Sequence, residues 1–210
     1  RRSMFELFTR RLPGARRYGV VAGTGRLLDA INNFRFYDEE LDWLKQADFL
    51  RNETLDWLAN YRFNGNIWGY AEGDVFFPGS PLITVEASFA EGVILETLAL
   101  SIMNHDSAIA TAASRMVGAA GNKPLAEMGS RRTSENSAVA AARAAYLAGF
   151  SATSNLEAGR SYGIPTMGTA AHSFTLLHDS EKEAFEAQIN TFGTDTTLLI
   201  DTYDITEGVK

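Results

Sequence analysis

A chain of 210 residues can bury a sizeable core, and at 45% hydrophobic and 21% charged this one has the make-up of an ordinary globular protein. Its net charge of −7 gives no general attraction for nucleic acid or an anionic membrane, and the lack of cysteine excludes disulfides and thiolate metal sites. No apolar run approaches the roughly 18 residues that would span a bilayer.

Arg1-Arg2-Ser3-Met4 has no signal-peptide pattern, so a cytoplasmic protein is expected. Phe5 to Arg10 alternates apolar and polar residues, the period of a half-buried strand. Pro13-Gly14 marks a turn and Tyr18 to Ala22 a second strand, after which Gly23-Thr24-Gly25 opens a helix carrying Leu27, Leu28, Ile31 and Phe34. A lone Gly-x-Gly is a weak phosphate signal, and a plain strand-to-helix turn is the favoured account of it. Two amphipathic helices follow around Leu41-Asp42-Trp43-Leu44 and Leu55-Asp56-Trp57-Leu58, with Trp43 and Trp57 expected in the core. Strands are predicted at Ile67 to Tyr70 and Leu82 to Val85, with Glu72 and Asp74 serving turns between them.

Residues 87–117 then read as one long Ala-rich helix, in which His105 is expected to pack or hydrogen-bond rather than to catalyse. From about residue 123 the rhythm is strand, polar loop, helix, repeated, which is the signature of βα units around a parallel sheet. Leu125 to Met128 reads as a strand, Ser134 to Leu147 as a helix, and a further helix starts near Asn155. Ser180 and Glu183 form a capping box for the next helix, and Thr197 to Asp201 reads as a buried strand ending in an acid.

In such folds chemistry gathers at the carboxyl ends of the strands, where Arg131, Ser154, His172 and Asp201 all fall. His172, in Gly168-Thr169-Ala170-Ala171-His172-Ser173, has small neighbours that leave room for a ligand. At a strand end it can be a base, a metal ligand, a nucleophile or a structural histidine; zinc-like spacing to His105 or His178 is lacking. Asp201 either holds the imidazole or caps the segment after it. Arg131-Arg132, like Arg10-Arg11 and Arg16-Arg17, offers planar donors suited to a carboxylate or phosphate.

The segments Phe5 to Arg10, Glu127-Met128-Gly129-Ser130-Arg131-Arg132, Ala152-Thr153-Ser154-Asn155, Gly168 to Ser173 and Asp201-Thr202-Tyr203-Asp204 together carry a family likeness. On them the chain resembles the nicotinate phosphoribosyltransferases over essentially its whole length. The resemblance implies an α/β protein: an amino-terminal α+β domain with a long helical connection over residues 1–118, then over 119–210 the first βα units of an irregular (β/α) barrel of the type II phosphoribosyltransferase kind. It implies condensation of nicotinate with phosphoribosyl pyrophosphate to nicotinate mononucleotide and pyrophosphate, with ATP hydrolysis and Mg²⁺, in NAD biosynthesis, by a cytoplasmic homodimer.

Residue by residue, the resemblance makes His172 the phosphoryl acceptor and Asp201 its orienting acid. Thr169 and Arg131 line the pyridine site, Arg131 facing the nicotinate carboxylate or the adjacent phosphates, and Ser173 is a further substrate contact. Arg10 becomes a phosphate ligand working across the dimer interface. Ser154 stands where nicotinamide-using relatives carry an aspartate, and a serine does not repel a carboxylate. Three rival readings are a nicotinamide phosphoribosyltransferase, a quinolinate phosphoribosyltransferase, and a non-catalytic nicotinate-binding or subunit-interaction piece. The family's stacking tyrosine, its Ser-Gly-Asp strand and its glycine-rich phosphate loop are expected outside these residues, leaving the barrel incomplete.

Overall fold

The computed structural model describes residues 1–210. The central strand of its larger sheet, β5 (Pro81–Ser88), is flanked antiparallel by β1 (Arg2–Phe8) and β3 (Asn66–Gly69). The two-residue period of β5 puts Ile83, Val85 and Ala87 on one face, and all three are buried. They share a core with Leu27 and Ile31 of α1 (Thr24–Asn33) and with Leu95, Ala99 and Met103 of α4 (Phe89–Ala120). Each such aliphatic side chain contributes about 1.5–3 kcal/mol on burial. Gly92 lets α4 lie directly on β1, because a Cβ there would meet the Phe5 ring at 2.3 Å.

Ser88 starts α4: its hydroxyl accepts from the Glu91 N–H, and the Glu91 carboxylate accepts from the Ser88 N–H. From there α4 runs 32 residues, roughly 48 Å. Its second half is rich in small and hydroxyl residues, and two other elements dock there. One is the short ribbon of β2 (Gly19–Val20) and β4 (Val75–Phe76), the latter unforeseen in the sequence. The β2 edge donates its Val20 N–H to Thr111 Oγ1 (2.9 Å) and its Ala22 N–H to Ser107 Oγ (3.1 Å). The other is α5 (Glu135–Leu147), whose Ala144 shares a small core cluster with Ala110. The Ala-rich texture thus serves close approach of two helices.

α2 (Asp38–Gln46) and α3 (Asn52–Ala59) pack chiefly on each other. Trp43 and Trp57, expected in the core, are 64% and 39% exposed. Each lies two positions past the leucine of its helix, Leu41 or Leu55, and residues so spaced do not share a helix face.

Glu72 sits in the Ala71–Asp74 turn, as expected, but its side chain does more. Its carboxylate takes two bonds from Arg143 on α5 (both 2.7 Å) and one from the Gly23 N–H (2.7 Å), while Arg143 lies over the Tyr162 ring. Gly23 is held at φ 99°, and the start of α1 is thereby closed by the protein's own carboxylate. Asp74 does serve its turn, accepting from the Ala71 N–H. Burial pushes the Glu72 carboxyl up, but the Arg143 and Gly23 hydrogen bonds and the guanidinium charge outweigh it and hold the group below its usual range. A folded-state value below the unfolded one means stability that is present above about pH 4.3 and lost as pH falls through the folded value. Glu72→Gln should therefore cost about 1.5–3 kcal/mol in urea unfolding at pH 7, a gap that closes in acid. An equal gap at pH 7 and at pH 3 would rule out this linkage.

Beyond α4 the sheet is parallel. β6 (Ala126–Glu127) pairs with β7 (Ala152–Thr153) across α5, and Thr153 bridges Thr166 in the same sense after α6 (Leu156–Tyr162). The chain then forms α7 (His172–Leu176), α8 (Glu181–Phe192) and α9 (Ile205–Gly208). Ser180 caps α8 through the Glu183 N–H, but Glu183 returns its carboxylate to Asp179 rather than to Ser180, so the capping box is half made. The strand expected at Thr197 to Asp201 does not form. A strand exists through its ladder partners, and this segment has none; Gln188 of α8 holds it instead, donating to Thr196 Oγ1 (2.7 Å) and the Thr197 carbonyl (2.9 Å). No helix is long and apolar enough to cross a membrane.

Candidate active site

The parallel strands are two residues long, yet polar side chains converge at their carboxyl ends. Glu127 ends β6; one carboxylate oxygen accepts from the Gly129 N–H and the other from Thr153 Oγ1 (2.8 Å) at the end of β7. Thr153 Oγ1 in turn accepts from the Asn155 N–H (3.0 Å). Asn155 Nδ2 reaches across to Ser130 Oγ (3.0 Å), and its side-chain oxygen caps α6 by accepting from the Ala158 N–H (2.9 Å). Two turns are thereby tied together. One, a single 3₁₀ turn over Ser130–Arg132, carries Arg131; the other carries Ser154, whose N–H donates to the Glu127 carbonyl (2.9 Å).

Arg131 is exposed and has no carboxylate partner. Ser154 is half-buried and lines an open cleft with Met128, Leu156 and Thr169. Thr169 also borders a second cleft, shared with Gln188, Asp195 and Thr196. The structure thus joins the turns of Arg131 and Ser154 through Asn155 and Ser130, and puts Ser154 and Thr169 on one cleft.

His172 differs in detail from expectation. It is the first residue of α7 and not the end of a strand, because the pairing beyond Thr153 is limited to the bridge at Thr166. Its Nδ1 lies 3.2 Å from Thr202 Oγ1, and its Nε2 lies 3.8 Å from Asp201 Oδ1. Asp201 thus stands beyond hydrogen-bonding range, on the side of Nε2, and Thr202 is the group that bonds the ring. Both His172 and Asp201 are half exposed. Ser173 follows in the first turn of α7, also exposed. His105 bonds through Nδ1 to Asp106 (2.9 Å), whose buried carboxylate takes two further bonds from Arg26, a structural role.

Arg10 is not brought to these residues. It lines a separate cleft with Arg11, Arg16 and, from α4, Asn104 and Thr111. Sequence reasoning also passed over Glu127, Thr153, Asn155 and Thr202. Each stands within a segment that carried the family likeness, but a glutamate or threonine at a strand end gives no signal of its partner until the fold pairs the strands.

The α+β leading part, the long helix and the parallel strands with polar ends are the fold of a type II phosphoribosyltransferase, and the comparisons bear this out. A crystal structure of human nicotinic acid phosphoribosyltransferase superposes with a TM-score of 0.89 at 26% identity, covering 97% of this chain and 51% of that one. The fold also matches a nicotinate-nucleotide pyrophosphorylase from Pyrococcus furiosus, with a TM-score of 0.78 at 22% identity over 97% of this chain and 45% of that one. Residues 1–104 match the family model for the nicotinate phosphoribosyltransferase N-terminal domain. The chain is 59% identical to nicotinate phosphoribosyltransferase pncB1 of Mycobacterium tuberculosis, with 100% of this chain and 48% of the relative aligned. It is 37% identical to the nicotinate phosphoribosyltransferase of Bacillus subtilis, over 97% of this chain and 42% of the relative. The chain belongs to the nicotinate phosphoribosyltransferase family, and it spans about half the length of the curated relatives it matches.

Proposed function

We propose that the protein forms nicotinate mononucleotide and pyrophosphate from nicotinate and phosphoribosyl pyrophosphate, in NAD biosynthesis. The observation that carries this reading is the tie between the turns of Arg131 and Ser154 at the ends of the parallel strands, with Thr169 on the cleft that Ser154 lines and no carboxylate bonded to the guanidinium. A free guanidinium there can take the nicotinate carboxylate in a planar, two-bond pairing, and a neutral serine on the neighbouring turn adds no charge that would repel it. The pyridine nitrogen is then held in line with carbon 1 of the ribose. The new C–N bond forms as the C–O bond to pyrophosphate breaks, with the electron pair leaving on the pyrophosphate oxygen.

His172 is the acceptor of the ATP γ-phosphoryl group in this reading. With Nδ1 bonded to Thr202, Nε2 attacks phosphorus while the P–O bond to ADP breaks. The half-exposed Asp201 carboxylate beside Nε2 would give one oxygen ligand to a Mg²⁺ carried in by the phosphates, an ion that would supply charge neutralisation at the phosphate oxygens. Ser173 lies beside this phosphate. Arg10, apart from the site within one chain, fits a phosphate ligand offered to a second subunit, which makes the working enzyme a homodimer, here placed in the cytoplasm. Residues 1–118 form its amino-terminal domain and 119–210 the first units of its barrel.

The test is direct. The full-length protein, given phosphoribosyl pyrophosphate, Mg²⁺ and ATP, should convert nicotinate to its mononucleotide and leave nicotinamide and quinolinate largely unused. Ser154→Asp should cut nicotinate turnover while sparing any trace nicotinamide turnover. A protein that consumes quinolinate, or that binds nicotinate without turnover, overturns the assignment.

A further inference from the structure

We infer that Glu127 is a positioning residue for pyridine recognition, acting through Thr153 and Asn155 to set the distance between Arg131 and Ser154; the inference rests on the nicotinate reading above. Arg131 itself is bonded to no other side chain. Its place is set only by the turn that carries it, and that turn is tied at two points. Glu127 accepts from the Gly129 N–H at its entrance, and Asn155 bonds Ser130, the residue before Arg131.

Both ties lead back to one group. The same Glu127 carboxylate accepts from the Thr153 hydroxyl, and that hydroxyl accepts from the Asn155 N–H, which aims the Asn155 side chain at Ser130. Ser154, between Thr153 and Asn155, bonds the Glu127 carbonyl. One glutamate therefore ties the turn that carries Arg131 to the turn that carries Ser154.

The chemistry demands a carboxylate. Gly129 presents an N–H, and Thr153 donates its hydroxyl because a carboxylate can only accept. Two donors converge on two acceptor oxygens. A glutamine keeps one acceptor oxygen and puts an uncharged NH2 where the other stood, so Thr153 could only accept from it and both ties lose the strength that the carboxylate's charge gives them. Weaker ties loosen a pre-set pairing, and the loss falls on the ligand that the two turns hold.

The test uses the full-length protein and steady-state kinetics with each substrate varied. Glu127→Gln should raise KM for nicotinate about tenfold, with kcat and the KM for phosphoribosyl pyrophosphate within about twofold of wild type. Thr153→Val should do the same, and Thr153→Ser, which keeps the hydroxyl, should restore wild-type values. In an Arg131→Ala background Glu127→Gln should add little, since the group it positions is gone. If Glu127→Gln depresses kcat and both KM values in step with its melting temperature, or leaves nicotinate KM unchanged, the positioning role is overturned. A wild-type protein inactive on nicotinate overturns the functional reading first and this one with it, so the two failures are told apart.

Discussion

His172→Ala should reduce acid-labile phosphate to background when the full-length protein is incubated with Mg²⁺ and γ-labelled ATP. The side chain is half exposed and makes one hydrogen bond, to Thr202, so its removal leaves no buried group unpaired and the melting temperature should hold. Thr202→Val separates orientation from chemistry. It keeps the nucleophile but removes the partner of Nδ1, so labelling should slow without vanishing. Asp201→Asn should act differently, raising the Mg²⁺ concentration needed for labelling, because Asp201 faces Nε2 and does not hold the ring. Wild-type labelling in His172→Ala would place the phosphate elsewhere or nowhere.

Arg131→Ala should cost about 2–5 kcal/mol of nicotinate binding, which is roughly thirtyfold or more in KM. The exposed guanidinium contributes nothing visible to the fold, so urea unfolding should be unchanged. Arg131→Lys should recover only part of the loss, since an ammonium keeps the charge but not the planar pair of donors. Wild-type nicotinate kinetics in Arg131→Ala would make it a surface arginine and shift the search to Arg132.

How far the sequence foretold this site depended on the range of the interactions. Arg131 and Ser154 were legible as strand-end residues because the strand-loop-helix rhythm places loop residues there by chain geometry, whereas Thr169 came only with the family likeness. The long helix was legible from its period, whereas the Ser88–Glu91 box that starts it was passed over. What stayed hidden depends on pairs distant along the chain. Glu72 reads as a turn residue until α5 delivers Arg143 to it, 71 positions away. Thr197 to Asp201 has the composition of a strand, but composition cannot supply a neighbour to bond with. The tryptophans misled because bulk argues for burial, whereas a helix buries only one side and Trp43 is on the other.

The hydroxyls of Ser107 and Thr111 have a meaning beyond joining α4 to β2. A two-residue strand with an open flank presents its unused N–H groups to any passing polypeptide, and such flanks recruit foreign strands into aggregates. Here the N–H groups of Val20 and Ala22 that point away from β4 are already spoken for by side chains of a helix. A helix cannot extend a sheet, so the ribbon is terminated by a surface with no further strand to offer. The same two hydroxyls that look like minor polar residues in an Ala-rich stretch thus close this flank of the folded protein to strand addition, and they do it without a proline, a bulge or a charge.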